Sequence, residues 1–310
     1  MKKIRIGTRG SMLALAQSGQ VRDSLMREHP GLDFEIVIIK TTGDKILDAP
    51  LSAIGDKGLF TKEIEKELQA GAIDLAVHSM KDMPTRIPGG LVIGAVTGRL
   101  NPRDVLISKR GKKLRDMKPG DTIATSSLRR KAQLLAFRPG LAIVDMRGNV
   151  QSRLKKMREA PGIDGIVLAY AGVERLQMLD EISEIIPEEI LLPAAGQAAL
   201  AIEIRDDDGF VTNLVSPLND HTSQIAVDCE RMFLSELGGG CQVPIAALAQ
   251  VAGDVVTLDG MVGSLDGSAV FRDSLSGPVA EHERIGKELA RKLLDEGAKK
   301  ILDHIYGRSE

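Results

Sequence analysis

The sequence predicts two α/β domains followed by a small α+β domain. At 310 residues the chain is longer than a single hydrophobic core usually serves. Between residues 3 and 205, short apolar runs alternate with helical patterns, which is typical of α/β folds. The pattern restarts around residues 97–102, and the last third of the chain has strand-like runs joined by tight turns. These three observations indicate three units, the last of them built on an antiparallel sheet.

The first unit begins with a predicted strand at residues 3–7 and a helix at 11–28, which has Ala14, Val21 and Leu25 on one face. Residues 41–58 combine glycines, a proline and charges without a clear period, so we expect a lid over a binding site. The remaining elements are predicted as a strand at 34–40, a helix from 61, and strands at 73–77 and 91–96.

The second unit repeats the strand, loop and helix pattern. Residues 191–197 are predicted to be a linker, and residues 200–204 a strand. The expected elements are strands at 105–108, 122–124, 141–145 and 165–169, and helices at 128–137, 150–158 and from 171.

The third unit is predicted to contain two long helices around three strands. Asp266 and Gly267 form a strong hairpin signal between the last two strands. The final helix has Ile285, Leu289 and Leu293 in register. The first helix is expected at 220–237, and the strands at 245–251, 255–262 and 269–275.

Composition excludes several classes of partner. A net charge of −2 and the absence of Trp argue against a binder of DNA or single-stranded nucleic acid. The sequence shows no signal peptide and no apolar run of membrane-spanning length. Two cysteines are too few for a disulfide framework, and the histidines lack zinc-ligand spacing. We therefore expect a cytoplasmic protein without a nucleic-acid, membrane or metal partner.

Polar residues crowd the end of the strand predicted at 73–77. His78, Ser79, Lys81 and Asp82 follow it, and Pro84 prevents a smooth helical continuation. Ligands of α/β sheets bind at the carboxyl ends of the strands. Asp82 beside Lys81 is thus a candidate acid or base whose proton affinity its neighbour tunes. The ordinary alternative is that Asp82 caps a turn and Lys81 is solvated.

The cations near the predicted strand and helix ends suggest an anion site. Arg129 and Arg130 fall in the first turn of a helix, where the macrodipole disfavours cations. Any one of these cations is ordinarily a solvated surface residue, but the set indicates a multiply anionic small ligand in an interdomain cleft. The set comprises Arg9, Lys81, Arg129, Arg130, Arg147, Arg153 and Arg175, with the hydroxyls of Thr125, Ser126 and Ser127 before the helix.

The two cysteines have different surroundings. Cys229 lies on the apolar face of a predicted helix, as a small buried hydrophobe would. Cys241 follows three glycines and precedes Pro244, a position that suits an accessible thiol able to form a covalent bond. From spacing alone, a buried structural role for Cys241 stays equally open.

Five motifs together resemble the porphobilinogen deaminase family, also called the hydroxymethylbilane synthases. The resemblance runs nearly end to end, with alanines at 124 and 198 where the family usually has glycine. The motifs are Thr8-Arg9-Gly10-Ser11, His78-Ser79-Met80-Lys81-Asp82-Met83-Pro84, Thr125-Ser126-Ser127-Leu128-Arg129-Arg130, Arg147-Gly148-Asn149-Val150 and Gly239-Gly240-Cys241-Gln242-Val243-Pro244.

The resemblance implies an enzyme that joins four porphobilinogen molecules head to tail. Ammonia is released at each step, and hydrolysis then releases hydroxymethylbilane. A dipyrromethane cofactor, one per chain, is implied on Cys241 through a thioether, and the growing chain stays attached to it. A monomer is expected.

The resemblance also implies the fold and its boundaries. Two periplasmic-binding-protein-like α/β domains are expected, plus a small α+β C-terminal domain with a three-stranded antiparallel sheet. The first is expected at residues 1–98 and 198–218, the second at 99–197, and the third, which carries the cysteine, at 219–310. This division places the strand at 200–204 in the first sheet.

Site roles carry over from the resemblance residue by residue. Asp82 is expected to be catalytic, because a carboxylate stabilises the positive charge that develops when a pyrrole loses ammonia or is attacked. The expected cofactor-binding residues are Cys241, Lys81, Asp82, Thr125, Ser126, Ser127, Arg129, Arg130, Arg147 and Gly148. The expected substrate-binding residues are Arg9, Ser11, Ser79, Arg147, Arg153 and Arg175.

Two other functions compete with this one. A non-catalytic small-anion-binding protein of the periplasmic type would ordinarily be exported and would have no use for Cys241. A thiol transferase that uses Cys241 as its turnover nucleophile predicts a free thiol in the resting protein, whereas a primer predicts a blocked thiol.

Overall fold

The computed structural model describes residues 3–45, 60–239 and 243–307. Within these residues the strands form two five-stranded sheets and one three-stranded antiparallel sheet. The predicted fold class, two α/β units plus a small α+β unit, is therefore confirmed. We call the three units the first, second and third lobe, in the order in which the chain enters them.

The first lobe starts from a capped helix and a short buried strand. Ser11 caps the first helix by accepting a hydrogen bond from the amide of Ala14, and the helix buries Val21 and Leu25 as predicted. The elements are β1 (Lys3–Thr8), α1 (Met12–Glu28), β2 (Asp33–Ile38), α2 (Thr42–Lys45), α3 (Lys62–Gln69), β3 (Leu75–Ser79) and β4 (Leu91–Val96). Apart from α2 and its flanks, the predicted lid at 41–58 lies outside the described residues.

The third strand begins and ends two residues later than the prediction at 73–77. His78 was expected to follow the strand, but it lies within β3 and pairs with Ala201 of a neighbouring strand. Its imidazole Nε2 is 3.1 Å from a carboxylate oxygen of Glu203, and both side chains are buried. The strand continues through a polar residue because that residue has a buried partner.

The second lobe follows the predicted pattern closely. Helix α4 has the predicted bounds, and Ser127 caps it. Helix α6 is shorter than expected, and Gln177, just beyond it, has a positive φ of 55°. The elements are β5 (Asp104–Ser108), β6 (Thr122–Ala124), α4 (Leu128–Phe137), β7 (Ala142–Val144), α5 (Val150–Glu159), β8 (Gly165–Ala169), α6 (Tyr170–Arg175) and β9 (Glu184–Ile185). Strand β9 was not predicted.

The chain then returns to the first lobe through β10 (Leu200–Arg205) and α7 (Gly209–Val215). Strand β10 lies between β3 and β4 and is antiparallel to both. Strand 200–204 therefore belongs to the first sheet, as expected. The order of that sheet is β2-β1-β3-β10-β4, and the order of the second sheet is β7-β6-β8-β5-β9.

The third lobe packs two helices on its antiparallel sheet. Phe233 and Cys229 from the first helix and Leu289 from the next are fully buried between the layers. The final helix, expected to be continuous, is interrupted at Gly297, where φ is +124°. The elements are α8 (His221–Glu236), β11 (Ile245–Ala252), β12 (Val255–Gly263), β13 (Val270–Pro278), α9 (His282–Leu293) and α10 (Lys299–Ile305).

Two segments connect the first and second lobes: the first crossing, residues 97–103, and the second crossing, residues 194–199. Glu230 of α8 is fully buried and binds both. Its carboxylate accepts hydrogen bonds from Arg99 Nη1 at 2.5 Å, the Gly196 amide at 2.6 Å and the Ala249 amide of β11 at 2.7 Å. One carboxylate therefore joins both crossings to the sheet of the third lobe.

Candidate active site in the cleft between the first and second lobes

A one-turn 3-10 helix, Met80–Asp82, follows β3 and carries the candidate catalytic pair. Met80 is buried, and its amide donates to the carbonyl of Ala199 in the second crossing at 3.0 Å. Lys81 and Asp82 are half-buried. The turn ends at Met83, where the backbone becomes extended before Pro84. The second crossing therefore fixes the turn from behind and leaves its two charged residues beside the cleft.

Lys81 lies among charges from both lobes. Its ammonium donates to the Gln197 side-chain oxygen at 3.2 Å. Burial lowers the pKa of Lys81 to about 8, and the positive charge of Arg130 lowers it further, whereas Asp82 and Asp104 raise it. Lys81 therefore titrates close to physiological pH, and its charge depends on groups in the second lobe.

Arg129 and Arg130 form a buried ion cluster with Asp104, a partner that sequence reasoning missed. Arg129 Nη1 donates to Asp104 at 2.8 Å, and Arg130 Nη2 donates to it at 2.7 Å. Burial by itself raises the pKa of Asp104, but the two guanidiniums more than offset this and hold the pKa well below its ordinary value. The cluster explains how two arginines occupy the first turn of α4 despite the helix dipole.

The two arginines differ in what they have left to offer a ligand. Arg129 Nη1 also donates to the carbonyl of Leu192 at 2.7 Å. Arg130 donates to Val167, but its buried Nε has no hydrogen-bond partner. An unpaired buried N–H is costly, so the Arg130 Nε favours an incoming anionic oxygen. The cofactor-binding roles of both residues stay predictions.

The three hydroxyls before α4 are all acceptors in local contacts. Thr125 accepts from the Ser127 amide at 3.3 Å, and Ser127 accepts from the Arg130 amide at 3.4 Å. Ser126 accepts from the Met146 amide at 3.0 Å. In each contact the hydroxyl hydrogen remains available to donate. The predicted role in cofactor binding is thus compatible with this geometry and stays a prediction.

A second group of cations lies around the start of α5. Gly148 has a φ of +122°, and an added Cβ would lie 2.2 Å from Ser152 Oγ, so the turn requires glycine. The Gly148 carbonyl accepts from Arg153 Nε at 2.7 Å. Burial lowers the pKa of Arg153 to about 10, and the charges of Arg130 and Arg147 lower it further. Three mutually repelling cations on one lobe favour an anion between them.

Asp82 is the carboxylate of the first lobe that acts on these cations. It raises the pKa of both Lys81 and Arg153, which places its charge near the arginines of the second lobe as well as near its own neighbour. The arrangement combines one carboxylate with several cations at the facing edges of two sheets. Such a site can hold acidic side chains of a ligand while a negative charge faces the ligand's core.

The predicted substrate residues of the first lobe lie at the carboxyl ends of β1 and β3. The Arg9 guanidinium is 4.2 Å from the centre of the Phe60 ring. Ser11 caps α1, and Ser79 Oγ accepts from Gln17 Nε2 at 2.8 Å. The structure brings these residues to the same edge as Lys81 and Asp82. Their contacts with substrate stay predictions.

Arg175 connects the lobes. Its Nη2 donates to the carbonyl of Ala198 at 2.9 Å, and its Nε donates to Gln20 of α1 at 3.2 Å. Burial lowers its pKa to about 10. The sequence placed Arg175 near a helix start, but it is the last residue of α6. It contacts the first lobe and the second crossing directly, and its substrate role stays a prediction.

Cys241, the expected attachment point, lies outside the described residues. The residues before it are held by the C-terminal helix, because Tyr306 Oη donates to the carbonyl of Gly238 at 2.9 Å. Cys229 is fully buried in the third lobe, and burial raises the pKa of its thiol to about 12. A thiol with that pKa is an inert nucleophile, so Cys229 suits a structural role, as predicted.

Sequence reasoning also missed Gln197 and Glu230. Gln197 stands in a stretch predicted to be a linker, yet its side chain is fully buried and contacts Lys81, Pro102 and Asp104. No local pattern marks such a residue. Asp104 gave the one available signal, since an acidic residue directly before an apolar strand requires a buried partner.

Comparison with known proteins decides the family. A family model described as "Porphobilinogen deaminase, dipyromethane cofactor binding domain" matches residues 4–213, and "Porphobilinogen deaminase, C-terminal domain" matches residues 224–295. The chain belongs to the porphobilinogen deaminase family.

Among its relatives, the porphobilinogen deaminase of Syntrophomonas wolfei is 52% identical over 302 residues, covering 97% of this chain and 98% of the relative. That of Moorella thermoacetica is 52% identical over 309 residues, covering 100% of this chain and 98% of the relative. Because these relatives are named as enzymes, the comparison supports catalysis over the alternative of a non-catalytic anion binder. Porphobilinogen is the substrate of this family of tetrapyrrole-forming transferases.

Solved structures with similar chain traces include the methionine binding protein MetQ, with 14% identity and a TM-score of 0.42 over 70% of this chain and 89% of that chain. The probable amino-acid transporter binding protein YtmK of Bacillus subtilis has 11% identity and a TM-score of 0.43 over 70% of this chain and 90% of that chain. Among the residues described here, no helix is both long and apolar enough to cross a membrane.

The residues of the cleft fit the dipyrromethane that the family model names. That group carries four carboxylates on two pyrrole rings, and the cleft offers cations on both lobes. The unpaired Nε of Arg130 gives an independent sign of fit, since it needs an acceptor that the chain itself does not provide.

Proposed function

We propose that this chain condenses four porphobilinogen molecules, with Asp82 as the catalytic carboxylate and Cys241 as the attachment point of the primer. The observation that carries the assignment of Asp82 is its position. It lies on a fixed turn beside Lys81, and its charge acts on cations of both lobes. A transferase of this family needs such a negative charge where positive charge develops on its substrate.

The cations bind and orient the substrate. Porphobilinogen carries an acetate and a propionate, so each added ring adds two negative charges. Arg9 and Lys81 on the first lobe and Arg130, Arg147 and Arg153 on the second are proposed to hold these carboxylates. Their number suits a product that gains charge with each addition.

Asp82 would stabilise the substrate as it loses ammonia. Departure of the amine leaves positive charge on the pyrrole, and attack by the next pyrrole carbon leaves a second positive charge before a proton is lost. A carboxylate within hydrogen-bond reach of the pyrrole N–H groups stabilises both charges and can move that proton. Lys81 and Arg153 favour the ionised form of Asp82.

The dipyrromethane, when bound, supplies the free pyrrole position to which the first substrate molecule is joined. The residues proposed to hold it are Cys241 through a thioether, Lys81 and Asp82 from the turn, and a group from the second lobe. That group comprises Thr125, Ser126, Ser127, Arg129, Arg130, Arg147 and Gly148.

We also propose the domain boundaries expected from the sequence: residues 1–98 with 198–218, 99–197, and 219–310. The return of β10 to the first sheet and the two crossings support this division. A cytoplasmic monomer is proposed on the strength of the family's biosynthetic role.

The intact mass of the purified protein tests the proposal. We expect a mass above that of the sequence by two linked pyrrole units, together with the colour reaction of a dipyrromethane with an acidic aldehyde reagent. Cys241→Ser should have the bare mass and be largely inactive, because a serine hydroxyl is a far poorer nucleophile.

Cys229→Ser is the matched control, since it removes the other thiol and should keep the added mass. A thiol transferase or a simple anion binder predicts the bare sequence mass and a modifiable Cys241. Bare mass in wild-type protein that is active without added primer would contradict the proposed role of Cys241.

A further inference from the structure

Gln197 joins the catalytic turn to the buried ion cluster of the second lobe. Its side-chain oxygen accepts from Lys81 Nζ at 3.2 Å. Its amide nitrogen donates to Asp104 Oδ1 at 3.0 Å and to the Pro102 carbonyl at 2.7 Å. The residue is fully buried, and its carbonyl accepts from Arg99 Nε at 2.8 Å. Every polar group of this side chain is therefore used, with partners from the turn, the first crossing and β5.

The contacts require an amide in one orientation. Lys81 offers only donors, whereas Asp104 and Pro102 offer only acceptors. An ionised carboxylate at this position would accept from Lys81 but would face Asp104 Oδ1 and a carbonyl without a hydrogen to donate. An apolar side chain would leave polar groups of all three partners without this contact. Glutamine is the side chain that matches both sets at this length.

The backbone around Gln197 adds to the constraint. Gly196 has a φ of +71°, and an added Cβ would lie 2.5 Å from Met80 Cγ and 3.3 Å from the Lys81 amide. The second crossing therefore packs directly against the catalytic turn, so a shift of one moves the other.

We propose that Gln197 is a positioning residue that orients the Lys81 ammonium in the cleft and makes that orientation depend on the Asp104 cluster of the other lobe. The proposal extends the proposed function, because it concerns the same turn and the same ligand. With one ammonium hydrogen held by Gln197, the others are directed toward Asp82 and the carboxylates of a bound pyrrole.

The charged groups that act on Lys81 come from both lobes. Arg130 and Arg129 favour its neutral form, and Asp82 and Asp104 favour its charged form. Gln197 is the neutral group in contact with the ammonium, so replacing it changes the local charge or the hydrogen bond without touching these four residues. The pKa of Lys81 is therefore a direct readout of the contact.

The test measures how fast Lys81 reacts with a small acylating reagent as the pH is raised, using the purified, primer-bearing protein and peptide mass spectrometry. In wild type the reactivity should rise with a midpoint near the pKa of about 8. Gln197→Glu should move the midpoint up by about one pH unit, because a carboxylate favours the ammonium. Gln197→Met should move it down, because the charged form loses its acceptor.

Gln133→Met is the matched control. Gln133 is also a buried glutamine with three side-chain hydrogen bonds, to Arg129 and twice to Leu192, but no listed bond joins it to Lys81. We expect it to lower the melting temperature about as much as Gln197→Met and to leave the Lys81 midpoint unchanged.

The kinetic readout is a split between kcat and KM. Gln197→Met should lower kcat about tenfold, the effect of one lost hydrogen bond to a charged group, with a smaller change in KM. An unshifted Lys81 midpoint in both Gln197 variants would overturn the proposal, as would an equal shift in Gln133→Met. Since the labelling needs no turnover, those results would leave the proposed function standing, whereas a bare mass in active wild type would remove the proposed function itself.

Discussion

The first and second lobes share one strand arrangement but carry opposite chemistry at their facing edges. In each sheet three neighbouring strands are parallel, and the fourth runs antiparallel to its neighbours. The strand in the third position is β3 in the first lobe and β8 in the second. After β3 comes the turn with Lys81 and Asp82, whereas α6 follows β8 directly.

Each lobe also has a carboxylate among cations, and the two carboxylates differ in burial. Asp104 is fully buried and bound by Arg129 and Arg130, so its charge is neutralised inside the second lobe. Asp82 is half-buried beside the cleft. The same side chain is thus structural where the fold encloses it with guanidiniums and chemically available where a loop presents it. Loops and burial, rather than strand order, set the difference between the lobes.

The largest effect is expected when the available carboxylate is removed. Asp82→Asn should keep the fold and the primer but lower kcat by about 10²–10⁴-fold, the usual range for a group that stabilises charge and moves a proton. Steady-state kinetics and intact mass measure the two parts. Asp82→Glu should retain a little activity, since its charge survives at another distance. Near-normal turnover in the asparagine variant would remove Asp82 from the mechanism.

Removing the enclosed carboxylate should act on stability instead. Asp104→Asn leaves two buried guanidiniums without a counter-charge, which costs about 3–5 kcal/mol. Urea unfolding measures the loss. Glu159→Gln breaks the exposed pair with Lys155 on α5 and is the control, with an expected loss of about 1 kcal/mol or less.

The pH dependence follows from the direction of the shift. Because the folded pKa of Asp104 is lowered, its contribution is complete above the ordinary carboxyl pKa of 3.8 and is lost as the pH falls below it. The stability gap between wild type and Asp104→Asn should therefore narrow in acid. A gap that stays constant down to strongly acidic pH would contradict the proposed ion cluster.

The smallest effect concerns the segment that joins the lobes. Ala198 has a φ of +79°, a conformation that costs an L-residue about 1–2 kcal/mol. Ala198→Gly relieves this strain, and after the added flexibility of the unfolded chain the net gain should be about 0.5–1 kcal/mol. Ala199→Gly, at a neighbouring buried position without a positive φ, should lose stability. Thermal unfolding of the two variants decides, and a loss in both would show that Ala198 is not strained.

Periodicity predicted most of the regular elements. Helix α4 and the buried face of α8 came from apolar spacing, and the turn at Asp82 came from the abrupt change to polar residues after an apolar run. The resemblance anticipated the return of β10 to the first sheet. The departure noted at Ala198 coincides with a positive φ, whereas Ala124 is an ordinary buried strand residue.

The missed features depend on contacts between distant residues. The pairing of Asp104 with Arg129 arises because β5 lies beside β8 in the sheet, which no local pattern shows. His78 was placed after its strand because its buried partner, Glu203, is far along the chain. Helix α7 was missed because its β-branched and aromatic residues lack a helical signal.

The central position of β10 has a consequence for the order of folding during synthesis. The strands of the second lobe lie between Asp104 and Ile185, so the ribosome completes them before β10 emerges. Until then β3 and β4 have no strand between them, and the N–H and C=O groups facing that gap are unpaired. Since domains fold as units when their chain is available, we expect the second lobe to reach its native hydrogen exchange protection first. The lobe whose residues come first in the sequence is thus the later of the two to complete its sheet.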